Sequence, residues 1–209
     1  MANIQGTLFV ISAPSGAGKT SLVNGVIKKL NNIVISISHT TRSSRPIEKH
    51  GQHYYFVDET TFQSMIQQHA FLEYAKVFDN FYGTSRAFVE NELTSGNDVI
   101  LEIDWQGAEQ VKAKIMNIVS IFILPPSLAI LHNRLINRKQ DSKEVIDKRI
   151  VQAITDIEQY KHYDYVIIND CFDQALEELI AIIKARRTSA AVNGNYLSGF
   201  VDRMLKEEN

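Results

Sequence analysis

The sequence predicts a three-layer α/β domain built on a mainly parallel sheet, and three observations lead there. Apolar, β-branched runs recur as "TLFVI", "IVISIS" (Ile33 to Ser38), "DVILEID" (Asp98 to Asp104), "VSIFIL" (Val119 to Leu124) and "YDYVIIN" (Tyr163 to Asn169). Such runs suit strands buried on both faces, the condition of a parallel sheet whose crossover helices cover both sides. Stretches of helical period separate them. The first run also leads straight into a turn of small residues, "SAPSGAGKTSL" (Ser12 to Leu22), giving the order strand, loop, helix. Helices layered on a parallel sheet follow from that alternation.

The first helix opens after the turn, where Leu22, Val23, Val26, Ile27 and Leu30 share one face. Further helices are predicted over Gly107–Ile115, Ser127–Asn137, Lys143–Tyr160 and Phe172–Arg187, and a short last helix in "NGNYLSGFVDRMLKEEN". Two segments interrupt the pattern. From His39 to about Gly96 the chain is rich in Thr, Arg, His and Tyr, with short aromatic pieces "HYYFV" and "FLEYAKVF" that read as strands of an inserted lobe. Around His132 to Arg149 a polar link joins two helical patterns, with six basic residues against three acidic ones in a chain of net charge −2. The expected organisation is one domain: a core from 1–38, 97–127 and 160–209, a small α+β lobe at 39–96, and a helical segment at 128–159.

A chain of 209 residues can bury a sizeable core. With 22 Lys and Arg against 24 Asp and Glu, no global charge invites a nucleic acid, so any anion site is local. Cys171 is the only cysteine and has no internal disulfide partner, and the N-terminus lacks a basic, apolar leader. The apolar runs are too short for a membrane span. The expectation is a cytoplasmic protein without a membrane partner; the sequence leaves a homo-oligomer open.

The small-residue turn has a physical use. A helix start carries N–H groups without partners and the positive end of the macrodipole, so a loop around it can surround a phosphate with donors. Gly16 and Gly18 supply positive φ and lack of bulk, Lys19 a point charge for the outer phosphates, and Thr20 a hydroxyl for Mg²⁺. The stretch Ala13, Pro14, Ser15, Gly16, Ala17, Gly18, Lys19, Thr20 resembles the P-loop, with Ala13 where that pattern has glycine. A P-loop NTPase core binding ATP is therefore expected. Arg42 and Arg45, three residues apart and followed by Tyr54 and Tyr55, offer two guanidinium forks and a phenol for a second, smaller phosphate. Two phosphate sites in one chain imply phosphoryl transfer between nucleotides.

The segments "SAPSGAGKT", "SHTTRSSRP", "GQHYYFV", "FLEYAKVFDNFYGTS", "LEIDWQGA", "IFILPPS" and "VIIND" occur in the order and near the spacing of guanylate kinases, which phosphorylate GMP with ATP. The resemblance runs from about Gly6 to Arg187. It implies that Arg42, Arg45, Tyr54 and Tyr82 hold the GMP phosphate, and that Glu73, with Ser38, Thr84 and Asp104, reads guanine. The chemistry agrees, because a carboxylate accepts from guanine N1–H and the 2-amino group while a hydroxyl donates to O6. Adenine would face Glu73 lone pair to lone pair at N1. The basic segment resembles the family's lid, with Arg134, Arg138 and Arg149 on the positions that neutralise the transferring phosphate beside Lys19 and Mg²⁺. Use of dGMP stays open.

Two positions depart from the family. Glu102 stands where aspartate is usual near the metal, and Cys171 stands where a second acid often follows "VIIND". Of the rival readings, a GTPase would show a late N-K-x-D segment, which this chain lacks. A peptide-binding scaffold domain of the same fold would have lost the loop lysine and hydroxyl. The six histidines show no metal-ligand spacing.

Overall fold

Strand β1 (Leu8–Ser12) is buried at all five positions, and the alternation of its side chains sets the layers. Phe9 and Ile11 point to one face with Leu22, Val23, Ile100, Ile121, Leu176 and Leu179; Leu8 and Val10 point to the other with Val89, Leu93, Val99, Leu101 and Val111. The structure, a computed structural model, describes residues 5–77, 79–137 and 143–207.

Around β1 the other core strands are β2 (Ile33–Ile35), β7 (Asp98–Glu102), β8 (Val119–Leu124) and β9 (Tyr165–Ile168), in the order β2-β7-β1-β8-β9. Every pairing in this sheet is parallel. Helices α1 (Lys19–Lys29) and α7 (Phe172–Thr188) contribute to the Phe9 face, and α3 (Arg86–Thr94) and α4 (Trp105–Lys114) to the Leu8 face. The mainly parallel three-layer core expected from sequence is present. At the end of the sheet remote from the small-residue loop, buried Asp98 accepts from Thr7 N–H and Arg187 Nε, both at 2.7 Å. Charge-assisted bonds of this kind contribute about 1.5–3 kcal/mol each and tie the end of α7 to β1 and β7.

A second sheet comprises β3 (His39–Thr40), β4 (Tyr55–Phe56), β5 (Phe71–Val77) and β6 (Asn80–Ser85), ordered β4-β3-β6-β5. Helix α2 (Glu59–Gln67) covers it through buried Phe62, whose ring lies 4.6 Å from Phe71 and 5.4 Å from Phe81. Sequence reading found the aromatic strands of this segment but neither α2 nor α3. Their start signals were present: Asp58 accepts from Thr61 N–H and Ser85 from Phe88 N–H. His39 is in β3 and stacks on Tyr55 at 4.8 Å. Helix α3, counted with the lobe on sequence, lies on the core sheet through Val89 and Leu93.

Helices α5 (Leu128–Asn137) and α6 (Lys143–Ile157) follow β8, with a turn of 3₁₀ helix at Glu158–His162 completing the segment predicted as helix to Tyr160. The last helix, expected to be short, is α8 (Ala190–Glu207), eighteen residues long. The apolar spacing Leu197, Phe200, Val201, Met204 is helical and carries the element through Gly194 and Gly199.

Candidate functional site

Helices α2, α3 and α4 each begin at a side chain that accepts an N–H of the first turn: Asp58, Ser85 and Asp104. Helix α1 begins at Gly18 with no side-chain acceptor. Helix α7 also lacks one at Cys171, but only α1 follows two glycines at positive φ, Gly16 at 96° and Gly18 at 97°. The loop from Ala13 to Thr20 thus brings unpaired first-turn donors and the positive helix end to the carboxyl ends of β1 and β7, where open α/β sheets bind ligands. Lys19 extends across to β7 and donates to the Ile103 carbonyl at 3.3 Å. Loss of hydration pulls the Lys19 pKa below its usual range, opposed by Glu102, Asp104, Asp156 and Glu73. A lysine facing four carboxylates marks the place where a polyanion must be met by more than one positive group.

Thr20 donates to Glu102 Oε2 at 2.8 Å. A hydroxyl and a carboxylate side by side at the loop form an oxygen donor set of the kind a hard divalent cation takes. Among the described residues, no group of three or more His, Cys, Asp or Glu is arranged to hold a metal by itself. That fits Mg²⁺ chemistry, in which phosphates and water supply most ligands.

Facing the loop across the end of β7 is a cavity of about 140 Å³ lined by Ser38, Tyr54, Glu73, Ala75, Val77, Tyr82, Glu102, Ile103 and Asp104. It gathers five of the eight residues assigned to GMP on sequence, Glu73 from β5, Tyr82 from β6, Ser38 from the segment between β2 and β3, Tyr54 just before β4 and Asp104 at the start of α4. A sixth, Thr84, is buried behind it and donates to Glu73 Oε1 at 2.5 Å. Glu73 is 3% exposed, and burial first, then Asp104, push its pKa up to about 7 despite the Thr84 bond. Gly107 makes room for this carboxylate: a Cβ there would lie 2.6 Å from Glu73 Oε2. Asp104 is fixed by its cap on Gly107 N–H at 2.8 Å.

The remaining two residues lie at the outer edge. Arg42 holds Glu48 through Nη2 at 2.8 and 2.9 Å and sits over the Tyr54 ring at 5.4 Å. The same Glu48 accepts from Arg45 N–H at 2.8 Å, so one carboxylate organises the R-x-x-R turn. Sequence reading gave Glu48 no role, although an acid three residues after Arg45 was the available signal. Tyr54 is pushed up to about 12, by burial first and then by Tyr82, and stays a phenol donor at neutral pH. The rings of Tyr54 and Tyr82 meet at 5.9 Å.

From α6, Arg149 reaches Ser15 Oγ at 3.5 Å; from α5, Arg134 reaches the Ala17 and Asn169 carbonyls at 3.4 and 3.1 Å. Arg138, the third arginine of that set, lies outside the described residues. Asn169, quoted within "VIIND" but given no task, is buried and donates to the Ala17 carbonyl at 2.7 Å. On that side of the loop a hollow of about 430 Å³ is lined by Gly16, Gly18, Ser21, Arg134, Asn137, Asn169, Asp170 and Phe172. Two recesses thus flank one donor-rich loop, one with a buried carboxylate and one open.

The guanylate kinase family pattern matches residues 5–186. Guanylate kinase of Shewanella oneidensis is 53% identical over 188 residues, covering 90% of this chain and 91% of that one. Guanylate kinase of Sodalis glossinidius is 54% identical over 206 residues, 98% of this chain and 100% of that one. Among solved structures, guanylate kinase from Anaplasma phagocytophilum superposes with a TM-score of 0.74 at 34% identity, covering 89% of this chain and 88% of the other.

Proposed function

The chain belongs to the guanylate kinase family, nucleoside monophosphate kinases that move the γ-phosphoryl group of ATP to GMP, and we propose how its own residues divide that work. The triphosphate lies on Ala13–Thr20, with Lys19 and the first-turn N–H groups on its outer phosphates and its base in the hollow beside Asn169 and Phe172. GMP enters the opposite cavity, guanine against Glu73, Ser38 and Asp104 with Thr84 holding Glu73 from behind, and phosphate toward Arg42, Arg45, Tyr54 and Tyr82. The observation that carries this reading is Glu73: a buried carboxylate with one hydroxyl partner, in a cavity whose lining includes Ile103, the residue whose carbonyl the lysine of the phosphate loop reaches.

Mg²⁺ bound at Thr20 beside Glu102 would neutralise charge on the donor phosphates. The rest is done by side chains. Lys19 holds negative charge on the phosphates, the arginines of α5 and α6 close on the transferring group, and binding in two recesses brings donor and acceptor into line. The acceptor is an oxygen of the GMP phosphate, ionised at neutral pH and carrying no proton to be removed, so no protein base is required. None of the contacts assigned to GMP addresses the ribose 2′ position, and dGMP is proposed as a second acceptor. Among the described residues no helix is long and apolar enough to cross a membrane, and we place the activity in the cytoplasm.

A coupled assay with ATP and each nucleoside monophosphate tests the acceptor. GMP alone among the ribonucleotides is expected to turn over rapidly; comparable turnover of AMP or UMP would overturn the reading. Closure supplies a further expectation. ATP on a loop open to water would be hydrolysed, so Arg134 and Arg149, which already reach the loop at 3.4 and 3.5 Å, must come to bear on the transferring group only once GMP is bound. Hydrolysis of ATP without GMP should be slow, and small-angle scattering should show compaction when both nucleotides bind. Arg149→Ala should lower kcat and leave the GMP Kd near wild type. Fast hydrolysis without GMP, or superimposable scattering curves, would remove closure as the gate.

A further inference from the structure

The loop has a fixed direction, and one buried side chain outside it sets that direction. Asn169 ends β9: its N–H donates to Leu124 O at 2.8 Å and its carbonyl accepts from Arg134 at 3.1 Å. Held at both backbone ends and 5% exposed, it sends its amide to the Ala17 carbonyl at 2.7 Å. It also occupies the space where residue 18 would carry a side chain, since a Cβ on Gly18 would lie 2.3 Å from Asn169 Nδ2. Among the described residues no peptide bond is cis. In a trans peptide the C=O and the following N–H point in opposite directions. Pinning the Ala17 carbonyl toward Asn169 therefore turns the Gly18 N–H to the opposite side of the loop, away from Asn169. Were this peptide to rotate, a carbonyl oxygen would face the phosphates where a donor should be, and the nest of donors would lose a member and gain a repulsion.

We propose that Asn169 is a positioning residue for phosphoryl transfer, a clamp that orients the Ala17–Gly18 peptide so that the Gly18 N–H serves the ATP phosphates. This rests on the reading of Ala13–Thr20 as the triphosphate site. Asn169 acts through the loop backbone, and Arg134 supports it by holding the same two carbonyls from α5.

Asn169→Asp tests the clamp in the full-length protein, with inorganic tripolyphosphate, which lacks any base, as a probe beside ATP. A carboxylate cannot donate to the Ala17 carbonyl, and its lone pairs face that oxygen. Affinity for both ATP and tripolyphosphate, measured by calorimetry, is expected to fall about tenfold or more, by a similar factor for each. GMP affinity should hold. Lowering the pH from about 8 to about 6 should restore part of the loss in the variant only, because a protonated carboxyl can donate again. Loss confined to ATP, with tripolyphosphate binding intact, would overturn the clamp and assign Asn169 to the base. An equal loss of GMP affinity would overturn it as general destabilisation. If Asn169→Asp does not fold, Asn169→Ala removes the donor without adding charge and is read in the same way, apart from the pH arm. A wild-type protein that binds neither ATP nor tripolyphosphate would remove the triphosphate assignment itself, and the clamp with it.

Discussion

Lys19→Ala should abolish phosphoryl transfer while GMP still binds with near wild-type affinity. Lys19 feels the charge of Glu102, Asp104, Asp156 and Glu73, and its own pKa is lowered because it is held away from water. Without it, the triphosphate would meet a group of carboxylates at the mouth of the loop instead of a point positive charge. Charge also shifts onto the outer oxygens of the transferred group during reaction, and positioned positive groups there act mainly on the transition state. Removal of one such group costs on the order of 10²–10³-fold in kcat, and here the exposed carboxylates add to that loss. GMP is assigned to the opposite recess, with its phosphate toward Arg42 and Arg45, so calorimetric GMP titration should be little changed. The two measurements separate the sites. A variant that loses GMP affinity in step with activity, while its circular dichroism and melting remain wild type, would mean that the two phosphate sites have been interchanged.

The parts legible in the sequence are those in which local pattern and tertiary role coincide. Val119–Leu124 reads as a buried strand and is one, residue for residue, because five of its six positions are apolar, both faces of the central sheet are covered, and the buried Ser120 hydroxyl is satisfied by Asp164 at 2.7 Å. Asp98–Asp104 reads two residues too long because Asp104 continues the alternation of apolar and acidic residues, yet its side chain caps α4. A cap and a strand end look alike in one dimension. Helices α2 and α3 were missed because each is nine residues long and buries only one or two large side chains, too few to make a helical period stand out among aromatic strands. In the site, the loop was legible because its glycines, lysine and hydroxyl are contiguous. Asn169 and Gly107 were quoted within motifs but left without roles. Their meaning is a distance to another segment: Asn169 to Ala17 across the sheet, and Gly107 to Glu73 where α4 meets β5. No spacing along the chain encodes either. Glu48 lies between these cases, close in sequence to the arginines it organises but outside any pattern of basic residues.

Glu73→Gln is expected to stabilise the nucleotide-free protein above neutral pH and to weaken GMP binding, a combination that follows from one buried carboxylate. Burial raises the Glu73 pKa from 4.5 to about 7. The unfolded chain gives up this proton at lower pH than the folded one, so the folded state is relatively weakened as pH rises from about 4.5 to about 7 and gains no further penalty above that. An uncharged amide of the same shape escapes the penalty, which is on the order of a few kcal/mol, and the variant should melt at a higher temperature than wild type at about pH 8. Binding runs the other way. Guanine presents two adjacent donors, and only an ionised carboxylate accepts from both; glutamine must turn an N–H toward one of them. The expected cost is about 1–3 kcal/mol, roughly five- to 150-fold in the GMP Kd, with preference over AMP reduced in proportion. The same proton gives a pH signature. Wild-type affinity should rise with pH through about 7 and then level off, since guanine binds the ionised form, whereas the variant should show no such rise. Phosphate also ionises near pH 6 and would tilt GMP titrations in the same direction, so guanosine, which lacks it, is the probe for this arm. Retention of wild-type GMP affinity and AMP discrimination in Glu73→Gln would remove Glu73 as the guanine reader, and an unchanged melting temperature at about pH 8 would show that its carboxylate is not held in the buried, proton-retaining state that its surroundings impose.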